Sequence, residues 1–163
     1  MKNWNQLALI LALGAMGIVL WFANTGTIAK ADDTDVALAW VTAWNSHNAD
    51  NVAALFTPDA VYEDVPLGAV SHGTAEIRAF AQAFFDAVPD SRIVYVSSSL
   101  KGGRGVIEWV FGGTDVGLYK TRKTFSVRGA TVIDVHGTKI SRNSDYYDLA
   151  TMLREFGLLP SGL

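Results

Sequence analysis

The sequence predicts one α+β domain in which helices pack against one face of an antiparallel sheet. Apart from a strand-like run near residues 60–65, apolar residues before Pro89 recur at spacings of three and four, which is typical of helices. After Pro89 they alternate with polar residues, as in strands, and helices followed by an antiparallel meander define this class. With 163 residues, half of them hydrophobic, the chain can bury one sizeable core and is short for two domains.

The first 31 residues have the layout of a secretory signal peptide. Lys2 precedes a run of 17 apolar or small residues at positions 7–23, and Ala29-Lys30-Ala31 offers the small residues that a signal peptidase recognises. We therefore expect cleavage after Ala31, export to the periplasm or the exterior, and a mature domain of residues 32–163. The apolar run also leaves open an uncleaved membrane anchor.

Four helices follow from the apolar spacing of this domain. The first begins at Thr34 or Asp35, either of which can cap it, and a second, short helix covers residues 50–56. The third covers 73–88 and the last 148–157, with a glycine at its end. Two apolar stripes predict buried helix faces: Val36, Leu38, Trp40, Val41 and Trp44 in the first helix, and Ile77, Phe80, Phe84 and Val88 in the third.

Four strands follow Pro89, separated by turns rich in glycine. They are predicted over residues 93–100, 106–114, 122–135 and 139–147. Gly129, within the third of them, is predicted to form a β-bulge.

Two adjacent carboxylates lie at the end of the strand-like run near residue 60. Successive strand residues face opposite sides, so only one of Glu63 and Asp64 can point into the core. Beside Val65, Pro66 and Leu67 an inward carboxylate would be partly desolvated, which raises its pKa toward that of a useful proton-transfer base. The alternative is a turn in which Asp64 only accepts local backbone N–H groups.

Composition excludes several classes of function. A net charge of −3 and a pI near 5.5 argue against a nucleic-acid partner. The chain has no cysteine, which excludes disulfides and thiolate metal sites, and its three histidines lack metal-ligand spacing. We expect no cofactor and no metal.

The domain resembles the nuclear transport factor 2-like superfamily, and within it the SnoaL-like polyketide cyclases. The resemblance extends over residues 34–160 and implies a curved antiparallel sheet wrapped by helices into a cone, with an internal pocket and often a homodimer. It rests on five stretches: WVTAWN at 40–45, LFTPDAV at 55–61, YEDVPLG at 62–68, GTKI at 137–140 and SDYYDL at 144–149.

Within the superfamily, the stretch around Asp64 resembles ketosteroid isomerase, in which the matching aspartate moves a proton between carbons. That enzyme's oxyanion hole, a tyrosine and a protonated aspartate, has no counterpart here. Trp40 stands at the tyrosine position, and no acid is found near residues 128–130. The resemblance therefore implies the base without the oxyanion hole.

Limonene epoxide hydrolase is the second similar enzyme. Asp145 matches the aspartate near the end of its last strand, whereas its central Arg and Asp correspond to Trp109 and Phe111 here. The resemblance thus retains only an acid/base carboxylate in an apolar pocket, which is what SnoaL-like cyclases need.

Asp64 and Asp145 are the predicted catalytic residues, because the resemblance sends both into one cavity. Two carboxylates there would push their pKa values apart. Alternatively, Asp145 or Asp148 caps the last helix, and for Asp148 capping is the better interpretation. The predicted ligand-binding residues, each of which could instead be a core or turn residue, are Trp40, Tyr62, His72, Trp109, Phe111 and Tyr147.

Three functions remain open from the sequence. The domain could be an acid/base enzyme of isomerase, cyclase or hydrolase type that acts on a small apolar carbonyl compound. It could be an exported protein that binds such a molecule without catalysis, or a dimeric interaction module. If Asp145 faces the cavity, alternation places residues 140, 142, 144 and 146 on the opposite face, where a two-fold sheet-to-sheet contact would form a homodimer.

Overall fold

The computed structural model describes residues 33–160, and the predicted signal peptide lies outside them. Its elements are, in chain order, α1 (Asp33–Asn45), α2 (Ala49–Ala53), β1 (Phe56–Asp64), β2 (Ala69–His72), α3 (Gly73–Ala87), β3 (Arg92–Lys101), β4 (Arg104–Thr114), β5 (Thr124–His136), β6 (Lys139–Tyr147) and α4 (Leu149–Glu155). The α+β class is as predicted. No helix within residues 33–160 has the length and apolar character to span a membrane.

The six strands form one curved, open sheet in the order β2-β1-β6-β5-β4-β3. All neighbouring strands are antiparallel except β1 and β6, which run parallel because β2 and α3 and the whole β3–β5 meander separate them in the chain. This pairing puts the end of β1 beside the end of β6. The core lies between the sheet and the helices, and its largest fully buried side chain is that of Trp40.

The helix ends differ from the prediction in two places. Thr34 and Asp35, predicted as caps, lie inside α1, which already begins at Asp33. The second helix ends at Ala53 rather than residue 56, and Asn48 caps it by accepting the backbone N–H of Asp50 at 2.9 Å. The prediction for Asp148 is confirmed, since its side chain caps α4 by accepting the Thr151 N–H at 2.9 Å.

Three features of the strands were not predicted. β1 begins at Phe56 and includes Pro58, which a strand tolerates here because the β1–β6 register breaks between Phe56 and Val61. The short strand β2 has no counterpart among the predicted strands. The predicted bulge at Gly129 is wrong, since β4 and β5 pair without interruption and Trp109 lies opposite that glycine.

Glycine at position 129 is required for packing rather than for a bulge. A Cβ atom there would lie 2.2 Å from the Trp109 ring, so glycine makes room for this indole to lie flat on the sheet. Trp109 is 4% exposed and forms part of the pocket described below. The strand sequence therefore fixes the position of one wall of the pocket.

Candidate functional site

A cavity of about 50 Å³ lies between the inner face of the sheet and the helices. Its wall is mostly aromatic and contains two carboxylates. We call it the pocket; it is lined by Trp40, Trp44, Tyr62, Asp64, Leu67, Phe80, Phe84, Ile93, Trp109, Phe111, Leu118, Asp145, Tyr147 and Met152.

Alternation along β1 decides which carboxylate enters the pocket. Asp64 points inward and is 7% exposed. Glu63 points to the other face, where it accepts the hydroxyl of Ser144 at 3.3 Å. The prediction that only one of the two faces the core is confirmed.

Asp64 faces the pocket and also accepts a backbone N–H of the turn, so the two arrangements that the sequence left open occur together. Its Oδ1 accepts the backbone N–H of Leu67 at 3.1 Å, so it does cap the turn after β1. The Tyr147 hydroxyl donates to both of its oxygens, at 3.1 and 3.3 Å. Burial raises the pKa of Asp64, and the bonds from Leu67 and Tyr147 oppose that rise without cancelling it. Its Oδ2, with one long bond, retains free acceptor capacity.

Asp145 lies beside Asp64 and is held by three donors. The two residues are register partners in the parallel β1–β6 pair, where neighbouring strands are about 5 Å apart. Oδ1 of Asp145 accepts Thr131 at 2.6 Å and Asn143 at 2.8 Å, and Oδ2 accepts the Tyr62 hydroxyl. All three donors are buried side chains, so this carboxylate is fixed in place.

Burial raises the pKa of Asp145 to about 6, against the lowering effect of its bonds from Thr131, Tyr62 and Asn143. The charge of Asp64 raises it further, by less than burial does. Repulsion between the two carboxylates therefore contributes at Asp145 as expected, but desolvation is the larger cause at both sites.

Indole groups extend the hydrogen-bond network outward from Asp145. Trp40 Nε1 donates to Asn143 Oδ1 at 2.9 Å, and Trp109 Nε1 donates to Thr131 Oγ1 at 2.8 Å. The two indole rings stack, with centroids 6.2 Å apart and planes 20° from parallel. This wall is rigid because each ring is fixed both by stacking and by a hydrogen bond.

The structure brings seven of the eight predicted site residues to this one pocket; their catalytic and binding roles stay predictions. The exception is His72, which does not line it: the residue is exposed at the start of α3, and its backbone N–H bonds to Glu76. The missed strand β2 explains the error, because it carries His72 to the outer edge of the sheet.

Sequence reasoning missed several residues of the site. Thr131 and Asn143 hold Asp145, and Trp44, Phe80 and Phe84 form the helical side of the pocket. The spacing of the last three had been assigned to the core only. For Asn143 a signal existed, since alternation along β6 puts it on the same face as Asp145 and Tyr147.

The raised pKa of Asp145 predicts a pH dependence of stability. An aspartate with a higher pKa in the folded state binds a proton more readily when folded, so its contribution to stability should grow as pH falls from about 6 to about 4. Two pH units correspond to about 3 kcal/mol at most. Urea unfolding across this range should show wild type gaining stability relative to Asp145→Asn as the pH falls toward 4. A constant difference would contradict the raised pKa.

Comparison with known proteins identifies the family of this chain. The SnoaL-like domain family matches residues 37–143, and the chain therefore belongs to this family. Comparison with the curated proteins gave no match.

Several solved structures share this fold. A Catenulispora acidiphila DSM 44928 protein with a ketosteroid isomerase-like fold, solved in complex with trimethylamine, is 26% identical, with a TM-score of 0.72 over 78% of this chain and 96% of that one. A protein of Jannaschia sp. CCS1 described as a SnoaL-like polyketide cyclase is 14% identical, with a TM-score of 0.68 over 78% and 93%. The second likeness shows the fold alone.

Proposed function

We propose that this domain binds a small, largely apolar molecule in the pocket and that Asp64 accepts a proton from it. The single observation that carries the proposal is that the two carboxylates lie side by side in an aromatic cavity, with Asp145 held by three short hydrogen bonds and Asp64 Oδ2 by a single long one. Burial raises the pKa of Asp64, which makes its carboxylate a stronger base than an exposed one.

Among the described pocket residues, Asp64 would carry out the proton transfer without a bound metal ion and without a donor that stabilises an oxyanion. Asp64 would take a proton from a carbon next to a carbonyl group and return it to the same molecule at another carbon, which moves a double bond. Within residues 33–160 no group of three His, Asp or Glu side chains could hold a metal ion. A base acting alone supplies about 10²- to 10⁴-fold acceleration.

Isomerisation of a small β,γ-unsaturated cyclohexenone in D₂O tests the proposal. Proton NMR should show the double bond moving into conjugation faster with the protein than in buffer alone, and deuterium entering the ring. The Asp64→Asn protein is the control for catalysis by the pocket. A wild-type rate equal to that of the mutant, or of buffer, would contradict proton transfer at Asp64.

Binding without chemistry is the second candidate. Both tyrosine hydroxyls of the pocket donate to carboxylates. The described pocket residues with accessible polar groups therefore offer no free donor to a developing oxyanion, which favours this candidate. The trimethylamine complex of the Catenulispora protein supports a ligand of small size. An endogenous small molecule retained in native mass spectra, together with no isomerisation, would favour this candidate.

We further propose that the protein is exported and forms a homodimer. Export rests on the N-terminal 31 residues, and the dimer on the outer sheet face, where Val94, Val106 and Tyr146 are exposed. Ile140, expected on that face, is instead in the core, because the β5–β6 register shifts between Asp134 and Val135.

Two measurements check these proposals. After expression in a secreting bacterium the N-terminal residue should be Asp32, and light scattering at tens of micromolar, a typical association range, should give a dimer. Membrane-bound protein that retains Met1 would overturn the first proposal, and a monomer the second.

A further inference from the structure

The hydrogen-bond donors of the pocket wall are already used within the protein. The Tyr62 and Tyr147 hydroxyls donate to carboxylates, and the Trp40 and Trp109 indoles donate to Asn143 and Thr131. The Trp44 indole N–H has no partner, but this nitrogen is buried within the wall, so a ligand in the cavity does not reach it. A ligand that needs donors, such as an anion, would find none here.

What the wall offers instead is negative charge. Asp64 and Asp145 are the two charged groups that line it, and none of the described lining residues is Lys, Arg or His. Aromatic residues, whose ring faces carry partial negative charge, form most of the remaining wall. Asp64 Oδ2, with a single bond of 3.3 Å, is the acceptor with free capacity.

The cavity volume limits the size of the ligand. A water molecule needs about 10–15 Å³ of such volume, so 50 Å³ accommodates about three to five non-hydrogen atoms. A larger molecule would have to extend through the mouth of the pocket.

We propose that the ligand group held in this pocket is a small alkylated ammonium ion. Its methyl groups would contact the aromatic faces, among them the stacked Trp40 and Trp109, and its N–H would donate to Asp64 Oδ2. Cation–π attraction and a charge-assisted hydrogen bond act together at such a site. The inference rests on the binding half of the proposed function and is independent of proton transfer.

Titration of the purified protein with three ligands of nearly equal shape tests the class. Trimethylammonium carries a charge and an N–H, tetramethylammonium carries a charge without a donor, and tert-butanol has an O–H donor without a charge. The indole N–H signals of Trp40 and Trp109 in NMR spectra report binding in the pocket. We expect trimethylammonium to bind most tightly and tert-butanol about tenfold or more weakly, the factor that one such interaction supplies.

Two variants localise the charge. Asp64→Asn should weaken trimethylammonium binding about tenfold or more and weaken tert-butanol binding less, because the alcohol loses only a hydrogen bond and no ion pair. Asp59→Asn, the same change at an exposed position of β1, should alter neither. The ligand series on wild type needs no variant, so the test holds even if Asp64→Asn folds poorly.

Three outcomes distinguish the proposed ligand class from the proposed function on which it rests. If tert-butanol binds as tightly as the ammonium ions, the cationic class is wrong and small-molecule binding stands. If no ligand shifts the indole signals while the protein isomerises the cyclohexenone, the class is again wrong and the catalytic proposal stands. If neither binding nor isomerisation is seen, both proposals fail.

Discussion

Replacing Asp145 by alanine is expected to lower the free energy of unfolding by about 3 kcal/mol at neutral pH. Tyr62, Thr131 and Asn143 would lose their shared acceptor inside the core, and each orphaned donor costs about 1–3 kcal/mol. Relief from burying a charge offsets part of that cost, by about 3 kcal/mol at most. Urea unfolding followed by circular dichroism measures the net loss.

Asp145→Asn is the matched control for this loss. The amide keeps the shape of the side chain: its oxygen can accept from Thr131 and Asn143, and its NH₂ group can donate to the Tyr62 oxygen. Since the buried charge is removed, Thr131 and Asn143 keep their acceptor and the Tyr62 oxygen gains a donor, stability at neutral pH should stay equal or rise. If alanine and asparagine destabilise equally, the network around Asp145 has no energetic role.

The second large effect is on chemistry. Asp64→Asn should slow isomerisation of the cyclohexenone by roughly two to four orders of magnitude, the usual range for losing a general base. Asparagine can still accept the Leu67 N–H and the Tyr147 hydroxyl, so the turn and the pocket wall should keep their shape. The rate is measured by NMR under saturating and subsaturating ketone.

Two comparisons make this result specific. Asp59→Asn removes the same charge from an exposed position on the same strand and should leave the rate unchanged. If Asp64 and Asp145 act as one unit, the double Asn variant should lose less than the sum of the two single losses. Full additivity would show that the two carboxylates act independently.

The fold could be predicted because periodicity decides it. The stripe that contains Trp40 and Trp44 gives α1, alternation gives the four long strands, and alternation again allows only one of Glu63 and Asp64 to point inward. Such patterns are local, and each is repeated over several residues. Errors of two or three residues at the ends of helices did not change the arrangement.

What could not be predicted depends on register and on packing. The position of Ile140 follows from a shift between β5 and β6, and β2, which displaces His72, is only four residues long. Whether Phe80 and Phe84 border a void or fill it depends on the volumes of all their neighbours. The pairing of Thr131 with Asp145 requires the exact alignment of two strands, which no single strand reveals.

The resemblance to known enzymes gave the common location of Asp64 and Asp145 but not the electrostatics of the pocket. Burial raises the pKa of Asp145, and the neighbouring charge of Asp64 contributes less. Both tyrosine hydroxyls donate to carboxylates and are therefore not free to donate to a ligand. Both features are properties of the assembled network. They distinguish this pocket from one built to stabilise an oxyanion.

The most direct test of the account compares stability and proton transfer in the same Asp64→Asn sample. A buried base costs folding energy, so the variant should have an unfolding free energy equal to or above that of wild type while its isomerisation rate falls at least about a hundredfold. A variant that loses about 1 kcal/mol of stability but isomerises the ketone at the wild-type rate would contradict the account, and would show that Asp64 serves only to cap the turn at Leu67.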